Sequence, residues 1–138
     1  YCSPGFNLAV GSLSRSSHGQ FTQYHTSADD LELVQPPFLA EALDKYRLVV
    51  DVLERNRTYV NLNPKCEPQL GRRGLYRQVG SGGGTKINEM ALLWVLNLSD
   101  GMHSLLDIAE RSGERFSAIA DAAQALVEVG LLKSTSGN

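Results

Sequence analysis

The sequence predicts an α+β chain in which a short strand, a loop and a helix precede a compact three-helix module. Three observations carry that expectation. Phe6, Leu8 and Val10 alternate with period two, which sets them on one face of a strand. Leu39, Leu43, Tyr46, Val50 and Leu53 recur at spacings of three and four, the pattern of a single apolar helix face. From Ile87 to Leu132 three further helical stripes are divided by Asp100-Gly101 and Ser112-Gly113, pairs that stop helices.

Length and charge bound the remaining possibilities. The 138 residues, 42% of them apolar, suffice for one ordinary domain or two small ones with a core. A formal charge of −2 gives no whole-chain field for nucleic acid or an anionic membrane. No apolar run reaches the roughly 20 residues that span a bilayer, and no basic segment leads into an apolar signal core, so a soluble cytoplasmic protein is expected. The chain starts with Tyr1 rather than Met, as a piece of a longer protein would. Cys2 and Cys66 are far apart and lack the short paired spacing of a zinc or redox motif; free thiols are expected.

The stretch Phe6 to Leu13 is expected as a strand inside a sheet, followed from Ser14 to Gln23 by loop chemistry that delivers the chain to Tyr24. His18, a lone imidazole beside Gly19, reads as a solvated side chain, because metals need several convergent donors. Pro36-Pro37 opens a helix where first-turn N–H groups have no partner to lose. Its apolar stripe, with Ala42 and Val49 between, faces away from Glu41, Asp44, Lys45, Asp51, Glu54 and Arg55, so it should cover a sheet or another helix.

Residues 56 to 84 are the least regular, with Pro64, Pro68 and a Gly-rich run. Tyr59-Val60-Asn61-Leu62 and Gly74-Leu75-Tyr76-Arg77 are each short enough for an extended segment, and Arg72, Arg73 and Arg77 form the densest positive charge. Such arginines either hold an anion or sit solvated and paired with local acids; the second is expected. Gly80-Ser-Gly-Gly-Gly-Thr-Lys86 is not a phosphate loop, because Thr85 stands where Gly should precede the lysine and Ile87 where Ser or Thr should follow. A flexible surface hairpin or linker fits it instead.

In the last third, Ile87, Met90, Ala91, Trp94, Val95 and Leu98 form the first stripe. The second helix runs from about Ser104 to Arg111 and buries Leu105 and Ile108; the third, from about Arg115 to Val129, buries Phe116, Ile119, Ala122, Ala123 and Leu126 and ends at Gly130. A Ser-Gly turn between the last two helices gives a helix-turn-helix, and Leu131-Leu132-Lys133 suits the start of a wing strand. Trp94 lies on the apolar stripe and is expected in the core. The outward positions of the third helix are Ala118, Asp121, Gln124, Ala125 and Glu128, none of them a cation that could neutralise phosphate. From Gly84 to Asn138 four cations face seven carboxylates. The expected organisation is 1–60, an irregular linker over 61–86, and a winged helix-turn-helix over 87–138.

Tyr24-His25-Thr26-Ser27-Ala28-Asp29-Asp30 concentrates a phenol, an imidazole and two carboxylates in seven residues. It resembles the last metal-ligand motif of the co-catalytic zinc aminopeptidases. With Ser3-Pro-Gly-Phe-Asn-Leu-Ala-Val-Gly-Ser-Leu13 before it and Asn63-Pro-Lys-Cys-Glu-Pro-Gln-Leu-Gly71 after it, the chain is similar over nearly its whole length to the aminopeptidase-like proteins associated with polysaccharide biosynthesis. The resemblance implies that His25 is a zinc ligand in the complete parent, that Tyr24 lies on the substrate side, and that Asp29 or Asp30 supports the loop or the imidazole from behind. It also places the other ligands and the catalytic glutamate upstream of residue 1, so no zinc is expected on this chain, and a peptide substrate belongs only to the parent.

Three functions compete on these residues. The first is a non-catalytic C-terminal fragment of a zinc-dependent aminopeptidase-like protein, whose winged helix serves protein interaction or oligomerisation. The second is a DNA-binding transcriptional regulator, against which the charge of the third helix argues. The third is a protein-interaction module, in which the winged helix contacts a partner or another copy of itself. Expected partners are a second copy or the aminopeptidase domain, and neither nucleic acid nor membrane.

Overall fold

A computed structural model describes residues 1–75 and 87–135. It divides into two compact units, Tyr1–Leu48 and Val49–Asn138.

In the first unit the chain advances by successive turns. The Ser3 carbonyl accepts from the Phe6 and Asn7 amides, and Tyr24, Thr26, Asp29 and Leu33 each donate to a carbonyl three residues earlier. The strand expected over Phe6 to Leu13 is not formed, and Phe6, Leu8, Val10 and Leu13 are exposed. Period-two alternation marks a face, but a strand exists only where a neighbour completes its ladder, and among the described residues none lies beside this one. Helix α1, Pro36–Arg55, begins where proline was expected to open it. Leu13 and Arg15 lie along its early turns: Tyr46 donates its hydroxyl to the Leu13 carbonyl at 3.1 Å, and Arg15 pairs with Glu41 and lies over the Phe38 ring. The expected apolar stripe of α1 is present as a pattern, yet none of its residues is buried.

The second unit carries the core. Strand β1, Thr58–Asn61, is followed by α2, Glu89–Leu98, β2, Asp100–Ser104, α3, Leu105–Ser112, α4, Phe116–Glu128, and β3, Leu132–Ser134. The three strands form one antiparallel sheet in the order β2-β1-β3, with Val60 facing Asp100 on one side and Lys133 on the other. Leu92 and Val95 of α2, Leu105 and Ile108 of α3, and Ile119 and Leu126 of α4 are almost wholly buried. Each such side chain contributes about 1.5–3 kcal/mol when withdrawn from water.

Helix boundaries follow local chemistry. The Asn88 side chain accepts from the Met90 and Ala91 amides and starts α2. Ser104 and Asp107 form a reciprocal capping box on α3, and left-handed Gly113 closes it. Gly130, at φ +70°, lets the Leu131 amide return to the Leu126 carbonyl at the end of α4.

The core also draws on residues expected in the linker. Leu70 and Leu75 are buried among the helices, and β1 belongs to the sheet, so the winged module begins near residue 57 rather than 87. Gly74 is in a left-handed turn, so the extended segment expected from it does not begin there; Tyr76, Arg77 and the Gly80–Gly84 run lie outside the described residues. Three further side chains depart from expectation: Met90 is 53% exposed, Ala125 is buried instead of facing outward, and Ala118 packs partly buried against the core. Trp94 is partly buried and packs against the core.

Candidate functional site

Two places bear on function, one in each unit. In the first, the Tyr24 ring stacks on His25 with centroids 4.1 Å apart, meets Phe21 edge-on at 5.6 Å, and approaches His18 at 5.7 Å. His18 and His25 therefore flank one phenol ring, which the spacing of seven residues did not reveal. His25 is exposed and has φ +56°, a left-handed conformation uncommon outside glycine that histidine enters more readily than most residues. The turn is tied by Thr26, whose hydroxyl donates to the Gln23 carbonyl and accepts from the Ala28 amide.

Asp29 and Asp30 are engaged elsewhere among the described residues. Asp30 spends one carboxylate oxygen on the Glu32 and Leu33 amides at 2.9 and 3.4 Å, a local Asx turn of the kind aspartate forms readily. Asp29 lines a cleft of about 360 Å³ together with Arg15, Phe21, Val34 and Phe38. The zinc implied by resemblance asks for three or four protein donors. Among the described residues no three His, Cys, Asp or Glu side chains converge to share an ion. His25 offers one nitrogen, and among the described residues two further donors of that kind are not gathered around it.

The second place is the outward face of α4, the helix that would enter a DNA groove. It presents Ser117, Asp121, Gln124 and Glu128, and Gln124 donates to the Glu128 carboxylate at 3.1 Å. Asp121 is paired with Arg55 from the last turn of α1, and Arg55 also reaches Asp51 at 3.5 Å. Both contacts raise the guanidinium pKa, the hydrogen bond to Asp121 most. Immediately after α1, the Asn56 side chain accepts from the Leu106 amide at 3.0 Å and the Arg57 carbonyl accepts from the Leu105 amide at 2.9 Å. Two orphan donors at the start of α3 are thus satisfied from the chain leaving α1. Glu54, Arg57, Tyr59, Leu105 and Gln124 line the shallow cleft beside the Arg55 contact.

Sequence reasoning missed this junction. Arg55 was assigned to a solvated face, although its spacing of four from Asp51 and the Asn56 that follows are the signals of a helix end that continues into contacts. It also placed too few cations in the module. Within the larger bounds Arg57, Lys65, Arg72, Arg73 and Arg77 join the balance, which becomes near neutral. The expectation for the arginine cluster is met in part: Arg73 donates to the Pro68 and Val129 carbonyls at 3.1 and 2.8 Å and so sits at the C-terminal end of α4, where a cation complements the helix dipole. Arg72 is exposed.

A three-stranded antiparallel sheet wrapped by α2, α3 and α4, with a glycine-closed turn between the last two, defines a winged helix-turn-helix. The chain belongs to that family: the model of a winged helix-turn-helix matches residues 57–134, and a domain of unknown function (DUF4910) matches residues 1–56. It is 55% identical over 133 residues to a Clostridium acetobutylicum protein provisionally named as a polysaccharide biosynthesis protein with aminopeptidase-like domain, a match over 96% of this chain and 30% of the relative. The crystal structure of a provisionally named peptidase from Clostridium acetobutylicum superposes with a TM-score of 0.82 at 51% identity, covering 97% of this chain and 28% of that one. The chain thus spans less than a third of the length of the relatives it matches.

Proposed function

We propose that this chain acts within an aminopeptidase-like protein, with residues 1–56 belonging to the peptidase-like part and the winged helix serving protein contacts rather than reading DNA. Hydrolysis, zinc and a peptide substrate are properties of the larger assembly of residues. Within it His25 supplies one ligand, Tyr24 lies on the substrate side, and Asp29 and Asp30 support the loop. The similarity to proteins named for an aminopeptidase-like domain supports this reading.

One observation carries the role given to the winged helix. The face of α4 that would meet a groove has Asp121 and Glu128 and no cation, and phosphate neutralisation dominates the affinity of DNA readers. The competing reading, a DNA-binding regulator, draws on the fold alone, and a fold does not define a function. Fluorescence anisotropy with pooled duplexes at about 50 mM salt, where such binding is strongest, separates the two. No saturable binding is expected; tight binding that falls steeply with added salt would make the module a DNA reader.

A further inference from the structure

We propose that the outward face of α4 is a docking face for an arginine-bearing helix end, and that in this chain its occupant is the last turn of α1, Asp51–Arg55, seated by Arg55 on Asp121. The inference rests on the reading of the winged helix as a protein-contact module and names what it contacts.

Chemistry and geometry converge on the same turn. Asp121, Gln124 and Glu128 recur at spacings of three and four, so they form one acceptor-rich strip on α4. A guanidinium suits such a strip, because its planar fork of donors reaches two acceptors at once. Arg55 takes one acceptor of the strip, Asp121, and its second partner is Asp51 of its own helix. Apolar packing does little to hold the turn there: Leu53 is 70% exposed and none of α1 is buried. The attachments are polar. Arg55 fixes the turn to α4, and Asn56 and Arg57 fix the following residues to the start of α3. These bonds fix which residue of the last turn meets α4, since a shift of one residue moves Arg55 by about 100° around the helix. The strip that a DNA reader would turn toward phosphate is, in this chain, an acidic seat already matched to an arginine.

Charge exchange tests the seat in the full chain. Amide hydrogen exchange is followed at Val52–Asn56 and, as an internal control, at Ala91–Val95 of α2. In Arg55→Glu the Val52–Asn56 amides are expected to exchange about three- to tenfold faster, the scale of a partly exposed ion pair turned into a repulsion, with α2 unchanged. Arg55→Glu with Asp121→Arg is expected to restore protection. The proposal is overturned if the double variant gains nothing over Arg55→Glu, or if α2 loses protection in parallel, which would make the pair a contributor to global stability. DNA binding by the unaltered chain would instead remove the reading beneath it while leaving this exchange pattern intact.

Discussion

At the scale of single residues, Asp100 has the clearest consequence. Its carboxylate accepts from the Met102 and His103 amides at 2.8 and 3.2 Å and lies 3.0 Å from the His103 ring. The Met102 amide bond, followed by the His103 side chain, holds its pKa down to about 2 from 3.8. A depressed carboxylate favours the folded state above its unfolded pKa, and that contribution is lost as pH falls through the folded value. Stability should therefore drop between about pH 4 and pH 2, and Asp100→Asn should flatten that slope. Asp107, lowered by the Ser104 hydroxyl and amide, adds to the same limb and remains in the variant. Urea midpoints at several pH values from 5 to 2 provide the check, and identical slopes for the two proteins would show that Asp100 is not the source.

The residues around Asp100 also mark what a sequence can reveal. The Ser104-to-Asp107 spacing of a capping box was there to be read, because it depends on contacts three residues apart. The partner of Arg55 was not, because Asp121 lies 66 residues away and becomes its neighbour only through the packing of α4. The aromatic group of Phe21, Tyr24 and His25 is local and was half legible. Tyr24 and His25 were singled out, but Phe21 and His18 joined them through the turns of the loop rather than through any spacing rule.

At the scale of elements, helices were legible and strands only in part: the extended segment expected at Tyr59–Leu62 and the wing strand expected from Leu131 match β1 and β3, whereas β2 was not foreseen. Apolar stripes at spacings of three and four placed α1 to α4 to within two residues at nearly every end, since helical hydrogen bonds are made within the segment. Strand β2 is Asp-Gly-Met-His-Ser, which lacks β-branched or aromatic residues; it pairs because β1 supplies a ladder. The expected strand at Phe6 to Leu13 fails for the converse reason, having the pattern without the neighbour. Gly101 lets β2 approach β1, with φ +85° and space so limited that an added Cβ would lie 3.2 Å from Val60 Cγ2. Gly101→Ala is expected to cost about 1–3 kcal/mol through left-handed strain and displacement of Val60. Chemical denaturation measures it, and a variant as stable as the parent would mean that β2 shifts without penalty.

For the whole molecule, the unresolved balance is between the two apolar populations. The side chains of Leu70, Leu92, Leu126 and their neighbours are withdrawn from water within the second unit. Along α1, by contrast, Leu39, Leu43 and Leu53 remain 59%, 51% and 70% exposed on one continuous stripe. Contiguous apolar surface of this kind is unusual on a soluble monomer and marks a contact or an aggregation site. Its two flanks carry both signs, Glu41, Asp44 and Glu54 with Lys45 and Arg47, so copies meeting along it would not face a uniform like-charge barrier. The isolated chain is therefore expected to self-associate reversibly at micromolar to millimolar concentration. Sedimentation velocity across a dilution series should show a rising average mass, and Leu39→Glu with Leu43→Glu should return it to the monomer, because each carboxylate must be desolvated for the faces to meet. Urea unfolding of the second unit should be unchanged by those substitutions, which lie in the first. A chain that sediments as a monomer throughout would show that this stripe is tolerated in water.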